Sequence, residues 1–302
     1  MGSLDRSAAS SFVYAKASGL LSKSFTGDNA IKLFQVQSLR ELFTLLFDEE
    51  VPAVPEVMLA KEIEKKAEKN LIDLYKSLLS EFANPSPILS EILSFYEYEH
   101  SYNLTKGPDE DKKRIMALWN AISSLKGSDR QNLLELYKME ISFKNILWVL
   151  RLKVYYKFTA EEILEHLVYS DDMSEKSAAA KKIDVLAREA VAIADKDISS
   201  YDEWKKWKYA GFLNPHEEGV IWEIDPVWIE RSLKTYLAKT YKRFFHKDPM
   251  SVTSLVSWFR IKQYELDCIR SVAEGLRLGV ESEKVMEVSG ISSVVSQGGV
   301  NG

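Results

Sequence analysis

One cysteine, Cys268, stands in 302 residues, so no disulfide can close within the chain and a four-cysteine zinc site is excluded. Glycine and proline are sparse, at 13 and 8 residues, so few strands and hairpin turns are expected. No apolar run reaches the roughly 18 residues of a membrane-spanning helix, because charged residues interrupt every hydrophobic stretch. The opening MGSLDRSAASS has no apolar core of a secretory signal. The chain therefore reads as cytosolic, and any membrane role is expected to be peripheral. Neither sign of charge dominates: 40 Lys and Arg face 45 Asp and Glu, a formal charge of -5. That balance gives no general attraction for nucleic acid or anionic lipid.

What is present is a globular composition, with 46% hydrophobic and 28% charged residues, in a chain long enough to bury a sizeable core. The start signals are those of helices. Capping boxes are read at Ser38/Glu41, Ser128/Gln131, Thr159/Glu162 and Ser200/Glu203, and proline follows Ser86, Gly107 and Asp225 as a first helical residue. Between the caps the period is helical: Ile63, Ala67, Leu71, Leu74 and Leu78 share one face, with Lys61, Glu64, Lys65, Glu68 and Lys69 on the other. This reading predicts helices over 9–24, 28–35, 38–47, 55–81, 87–103, 108–126, 129–155, 160–168, 175–196, 200–209, 226–246, 252–277 and 283–288. The fold class is all-α. The small, polar segment 291–302 is expected to form a flexible tail.

Two stretches repeat at a constant shift of 123. Ser128 meets Ser251 at the start of a long helix, Asn145-Ile146 meets Cys268-Ile269, and Thr159 meets Ser282 at the cap of a short helix. Leu133, Leu136, Phe143, Ile146 and Val149 correspond to Val256, Phe259, Leu266, Ile269 and Val272, positions that share one helix face. The N-terminal helix carrying VYAKASGLLSKSF runs through Thr26-Gly27-Asp28 into a short helix, NAIKLF, and is a candidate third copy. Each such pair is too small to bury its apolar face alone and must do so against its siblings or a further helix.

These residues resemble the C/d family, the central-stalk connecting subunits of rotary V-type and archaeal A-type ATPases. The resemblance rests on Tyr14-Ala15 with Leu20-Leu21, and on Glu140, Asn145-Ile146, Arg151 and Lys153 followed by TAEEIL. It rests also on ELDCIR, Glu265 to Arg270. The chain departs from the family at Cys268, where asparagine is common, and Tyr169 to Asp225 matches only in its helical pattern. The resemblance implies one domain over 1–302: a funnel of three similar three-helix bundles about a pseudo-threefold axis, with lobes near 1–105, 106–200 and 201–290. It further implies a noncatalytic subunit at the cytoplasmic face of a membrane, seated on the proteolipid rotor ring and holding the central shaft. ATP hydrolysis or synthesis, and proton or sodium transport, would belong to other subunits. Tyr14, Glu140, Asn145, Arg151, Lys153, Glu265 and Arg270 would then be architectural. A buried amide can satisfy free backbone groups, and a buried arginine is tolerable beside a glutamate.

Catalytic signatures are weak beside this reading. His100, His166, His216 and His246 form no His-Glu-x-x-His, and EILEH at Glu162 lacks the first histidine of the inverted motif. GLLSKS at Gly19 lacks the second glycine of a phosphate-binding loop, and GLRLG is no dinucleotide fingerprint. No cofactor or metal is expected. The sharpest alternative is Asp171, Asp172 and Glu175, which could hold magnesium in an all-α prenyl-diphosphate enzyme, although no second acidic cluster faces them in the sequence. A generic helical scaffold is the third reading. The aromatic and basic stretch from Tyr201 to Phe212 is read as packing, with Trp204 and Trp207 inward, or as an aromatic anchor at a protein interface, and not as a nucleic-acid surface.

Overall fold

A computed structural model describes residues 6–100, 107–171, 177–217 and 219–291. Every regular element among these residues is helical, so the chain is all-α as its caps and period predict. In chain order they are α1 (Arg6–Ser22), a 3-10 turn (Gly27–Ala30) leading into α2 (Ile31–Phe34), α3 (Leu39–Leu46), α4 (Glu56–Leu79) and α5 (Pro87–His100). Next come α6 (Pro108–Ser123), α7 (Gly127–Tyr156), α8 (Ala160–His166), α9 (Ala178–Ile183), α10 (Arg188–Ala194) and α11 (Tyr201–Trp204). A 3-10 turn (Ala210–Phe212), α12 (Pro226–Lys247), α13 (Val252–Leu278) and α14 (Ser282–Val288) complete the order. The end expected for the α5 helix at 101–103, and most of the tail expected at 291–302, lie outside the described residues; Ile291 packs on the core of its unit.

The described chain divides into two compact units, one of residues 1–89 and 238–302 and one of residues 90–237. In the first, α13 is the central helix. Leu33, Leu42, Phe43, Leu59 and Ile63 converge on its Cys268, Ile269, Val272 and Ala273. Tyr75 of α4 lies against Phe259 with ring centroids 4.3 Å apart and donates its hydroxyl to the Leu89 carbonyl. The buried stripe of α4 runs through Leu59, Ile63, Leu71, Tyr75 and Leu78, so Tyr75 takes the place predicted for Leu74, which is half-buried. In the second unit α7 is central. Its Phe143, Ile146, Val149 and Leu150 meet Ile163 of α8, Ala190 and Ile193 of α10, and Ile229 and Leu233 of α12. Trp204 and Trp207 close this core, both buried and edge-to-face at 5.5 Å, while Lys205, Lys206 and Lys208 stay in water.

Two of the four capping boxes do not form. Thr159 and Glu162 make the complete reciprocal pair, and Ser38 accepts from the Glu41 amide while Glu41 reaches back to the amide of Gln37. Ser128, however, already lies inside α7, whose entry falls to Lys126 and to Gly127 at φ 62°, a conformation glycine adopts without steric cost. Ser200 precedes α11 without a side-chain cap. The helix predicted over 175–196 is two helices in its described part, because Asp184 turns its carboxylate onto the amides of Leu186 and Ala187. A side chain that satisfies orphan amides ends one helix and begins the next.

The burial patterns of α7 and α13 agree at the shift of 123, with one correction to the caps. At the shift of 123, Asn132, Leu133, Leu136, Ser142, Phe143, Asn145, Ile146, Val149 and Leu150 are all buried, and so are their counterparts from Leu255 to Ala273. The last turn of α7 is then one residue wider. The Lys157 amide reaches back to the Leu152 carbonyl, whereas the Gly279 amide reaches Gly275. Both long helices stop on a left-handed residue, Lys157 at φ 57° and Gly279 at φ 68°, and a seven-residue helix follows. The short-helix caps consequently pair Thr159 with Glu281, not with Ser282, which is the first residue of α14.

The α13–α14 corner is tight because Gly275 has no side chain: a Cβ there would lie 2.5 Å from Val285 Cγ2. Gly275→Ala should gain roughly 1 kcal/mol of helix propensity but lose about 1–3 kcal/mol to overpacking, a net destabilisation in denaturant titration. In a Val285→Ala background the same substitution should reverse sign and stabilise. Equal effects in both backgrounds would show that the two side chains do not compete for space.

Candidate functional site

Two polar residues on α7, Asn145 and Lys153, act on backbone. Asn145 is fully buried; its Nδ2 donates to the carbonyls of Val168 (2.8 Å) and Leu186 (3.1 Å), and its Oδ1 accepts from the Val168 amide at 2.9 Å. Those groups belong to non-helical chain after α8 and before α10, where no intrahelical partner exists. Asp184 completes the junction from the other side. One carboxylate oxygen takes the Leu186 and Ala187 amides, and the other takes the amide and hydroxyl of Ser170. Two buried side chains thus fasten segments 168–170 and 184–187 to each other and to α7.

Two charges near the end of α7 extend the same fastening. Lys153 donates to the Ala194 carbonyl, the free C-terminal end of α10, where a cation also meets the negative end of the helix dipole. Burial pulls the Lys153 ammonium below its ordinary pKa, more than the nearby carboxylates of Asp195, Asp197 and Glu203 raise it. Arg151 pairs with Glu230 of α12, and Lys234 approaches the other Glu230 oxygen at 3.2 Å. Burial pushes the Glu230 carboxyl up, but the charges and hydrogen bonds of Lys234 and Arg151 outweigh it and hold the group below the usual carboxylate range. Glu140 is half-buried on α7.

The first unit uses the same device with different residues. Glu265, 4% exposed, accepts from the Phe25 amide at 2.6 Å through one oxygen and pairs with Lys262 through the other; Lys262 also donates to Ser24 at 3.1 Å. The link between α1 and the following short helix is thereby held on α13. Trp258 donates to the Ala17 carbonyl, Tyr264 to that of Ser289, and Arg270 pairs with Glu68 of α4 at 3.2 Å. Tyr14 stacks on Phe245, with its hydroxyl 3.4 Å from His246 Nδ1. Cys268, the counterpart of Asn145, is buried in the apolar core.

The expected site residues fall in both units. Glu140, Asn145, Arg151 and Lys153 lie along α7 in one unit, whereas Glu265 and Arg270 lie on α13 and Tyr14 on α1 in the other. Sequence reasoning missed Asp184, Glu230 and Glu68. For Asp184 a signal existed, since aspartate inside an otherwise apolar helical stretch favours a cap over a helix interior; the two glutamates carry no such mark. Of the alternative magnesium set, Asp171 is exposed, and Asp172 and Glu175 lie outside the described residues. Among the described residues no group of three or more His, Cys, Asp or Glu could hold a metal ion. None of their helices is long and apolar enough to cross a membrane.

The described residues form a helical protein whose identified buried polar side chains bind its own chain, and comparison with known proteins supplies the family. Residues 110–288 match the family model of the ATP synthase (C/AC39) subunit. That span is more than half of the chain, and the protein belongs to this family. The chain is also similar to a protein of Treponema pallidum (strain Nichols) described as "Uncharacterized protein", 23% identical over 329 residues that cover 91% of this chain and 95% of the other.

Two outcomes test the fastenings. Asn145→Ala leaves the Val168 amide and the Val168 and Leu186 carbonyls buried without their partner, at roughly 1–3 kcal/mol for a buried unsatisfied group. A loss of at least about 3 kcal/mol in denaturant titration is expected, on the order of two such groups. Tryptophan emission is a suitable signal, because Trp204, Trp207 and Trp222 belong to the affected core. A loss under about 1 kcal/mol would mean that water replaces the amide. For Glu230 the folded pKa is depressed, so its stabilisation is present above the unfolded pKa and is lost as pH falls through the folded one. Stability should decline across that acidic interval, and Glu230→Gln should flatten the decline; an unchanged pH profile in that variant would contradict the assignment.

Proposed function

We propose that this protein is the noncatalytic central-stalk adaptor of a rotary V/A-type ATPase, joining the membrane rotor ring to the central shaft and passing rotation between them. The observation that carries the reading is the match of residues 110–288 to the ATP synthase (C/AC39) subunit family. The geometry supports it in a specific way: the family-like residues on α7 and α13 hold backbone segments and neighbouring helices. An adaptor needs a body that keeps its shape under load, and it needs no bond-making of its own. In this reading ATP turnover and ion movement take place in other subunits, and the chain is held at the cytoplasmic membrane face by its protein partners.

We further take the three long-helix and short-helix pairs, α1 with residues 27–34, α7 with α8, and α13 with α14, as copies of one unit about a pseudo-threefold axis. The matched burial of α7 and α13 supports two of them. The first pair shares the order of elements, including an extended Thr26 before its short helix. The three expected lobes, near 1–105, 106–200 and 201–290, follow from that origin. Division into two units by packing and descent from three copies are different properties of one chain.

Purification from detergent-solubilised membranes of the native host tests the function. A tagged chain should co-elute with proteolipid ring and shaft subunits, and deleting it should leave ATP hydrolysis uncoupled from ion transport. An assembled, coupled ATPase that lacks this chain would overturn the reading.

A further inference from the structure

We draw no further inference here: the strongest candidate, the exposed apolar corner of Tyr155 and Tyr156 at the C-terminal end of α7, echoed by Leu278 and Val280 at the end of α13, carries nothing because nothing in the structure shows what covers it.

Discussion

A long helix uses its own amides and carbonyls internally, so only its side chains can hold a passing loop. The bonds from Asn145 to Val168 and Leu186 meet that constraint, and the second unit depends on them. An amide offers a donor and an acceptor on one planar group, so it can pair with both backbone groups of one residue and still reach a second carbonyl. Leucine at the same position would bury the loop equally well but leave those groups unpaired. Hydrophobic packing brings α7, α8 and α10 together; Asn145 and Asp184 decide at which residue they meet.

The two long helices reach this end by different chemistry. At the position of Asn145, α13 has Cys268, which is buried in the apolar core. One turn earlier, at the position of Ser142 in α7, α13 carries Glu265, and this carboxylate takes the Phe25 amide. Burying a charge is costly unless it is paired and hydrogen-bonded, and Lys262 on the same helix face supplies the pair. The backbone tie on α13 thus lies one turn earlier than the tie on α7, and an ion pair accompanies it.

Helices with proline or full capping boxes at their start, such as α5, α8 and α12, were legible because the signal and the structure it makes are local. The break at Asp184 was not legible from hydrophobic period, since apolar residues continue on both sides of it. Entry into α7 through Gly127 was hidden because serine three residues before glutamine satisfies the same pattern whether or not the chain turns there. Among the site residues, Asn145 could be recognised as an amide on an apolar face, and the structure gives it backbone partners. The partners of Arg151 and Arg270 could not be read, because Glu230 and Glu68 lie on distant helices and their pairing is set by tertiary packing alone.

The kind of fastening bears on how far the body keeps its shape. Hydrophobic burial is non-directional, so it does not by itself fix one register between two packed helices. A hydrogen bond to a particular backbone amide is directional and weakens steeply with misalignment. Ties such as Asn145 to Val168, Glu265 to Phe25 and Lys153 to Ala194 therefore resist the motions that apolar packing permits. They also sit at corners where helix gives way to loop, the places where a bundle under twist would yield first. The buried side chains of Asn145, Asp184 and Glu265 bind the chain itself, an arrangement suited to a part that holds its form.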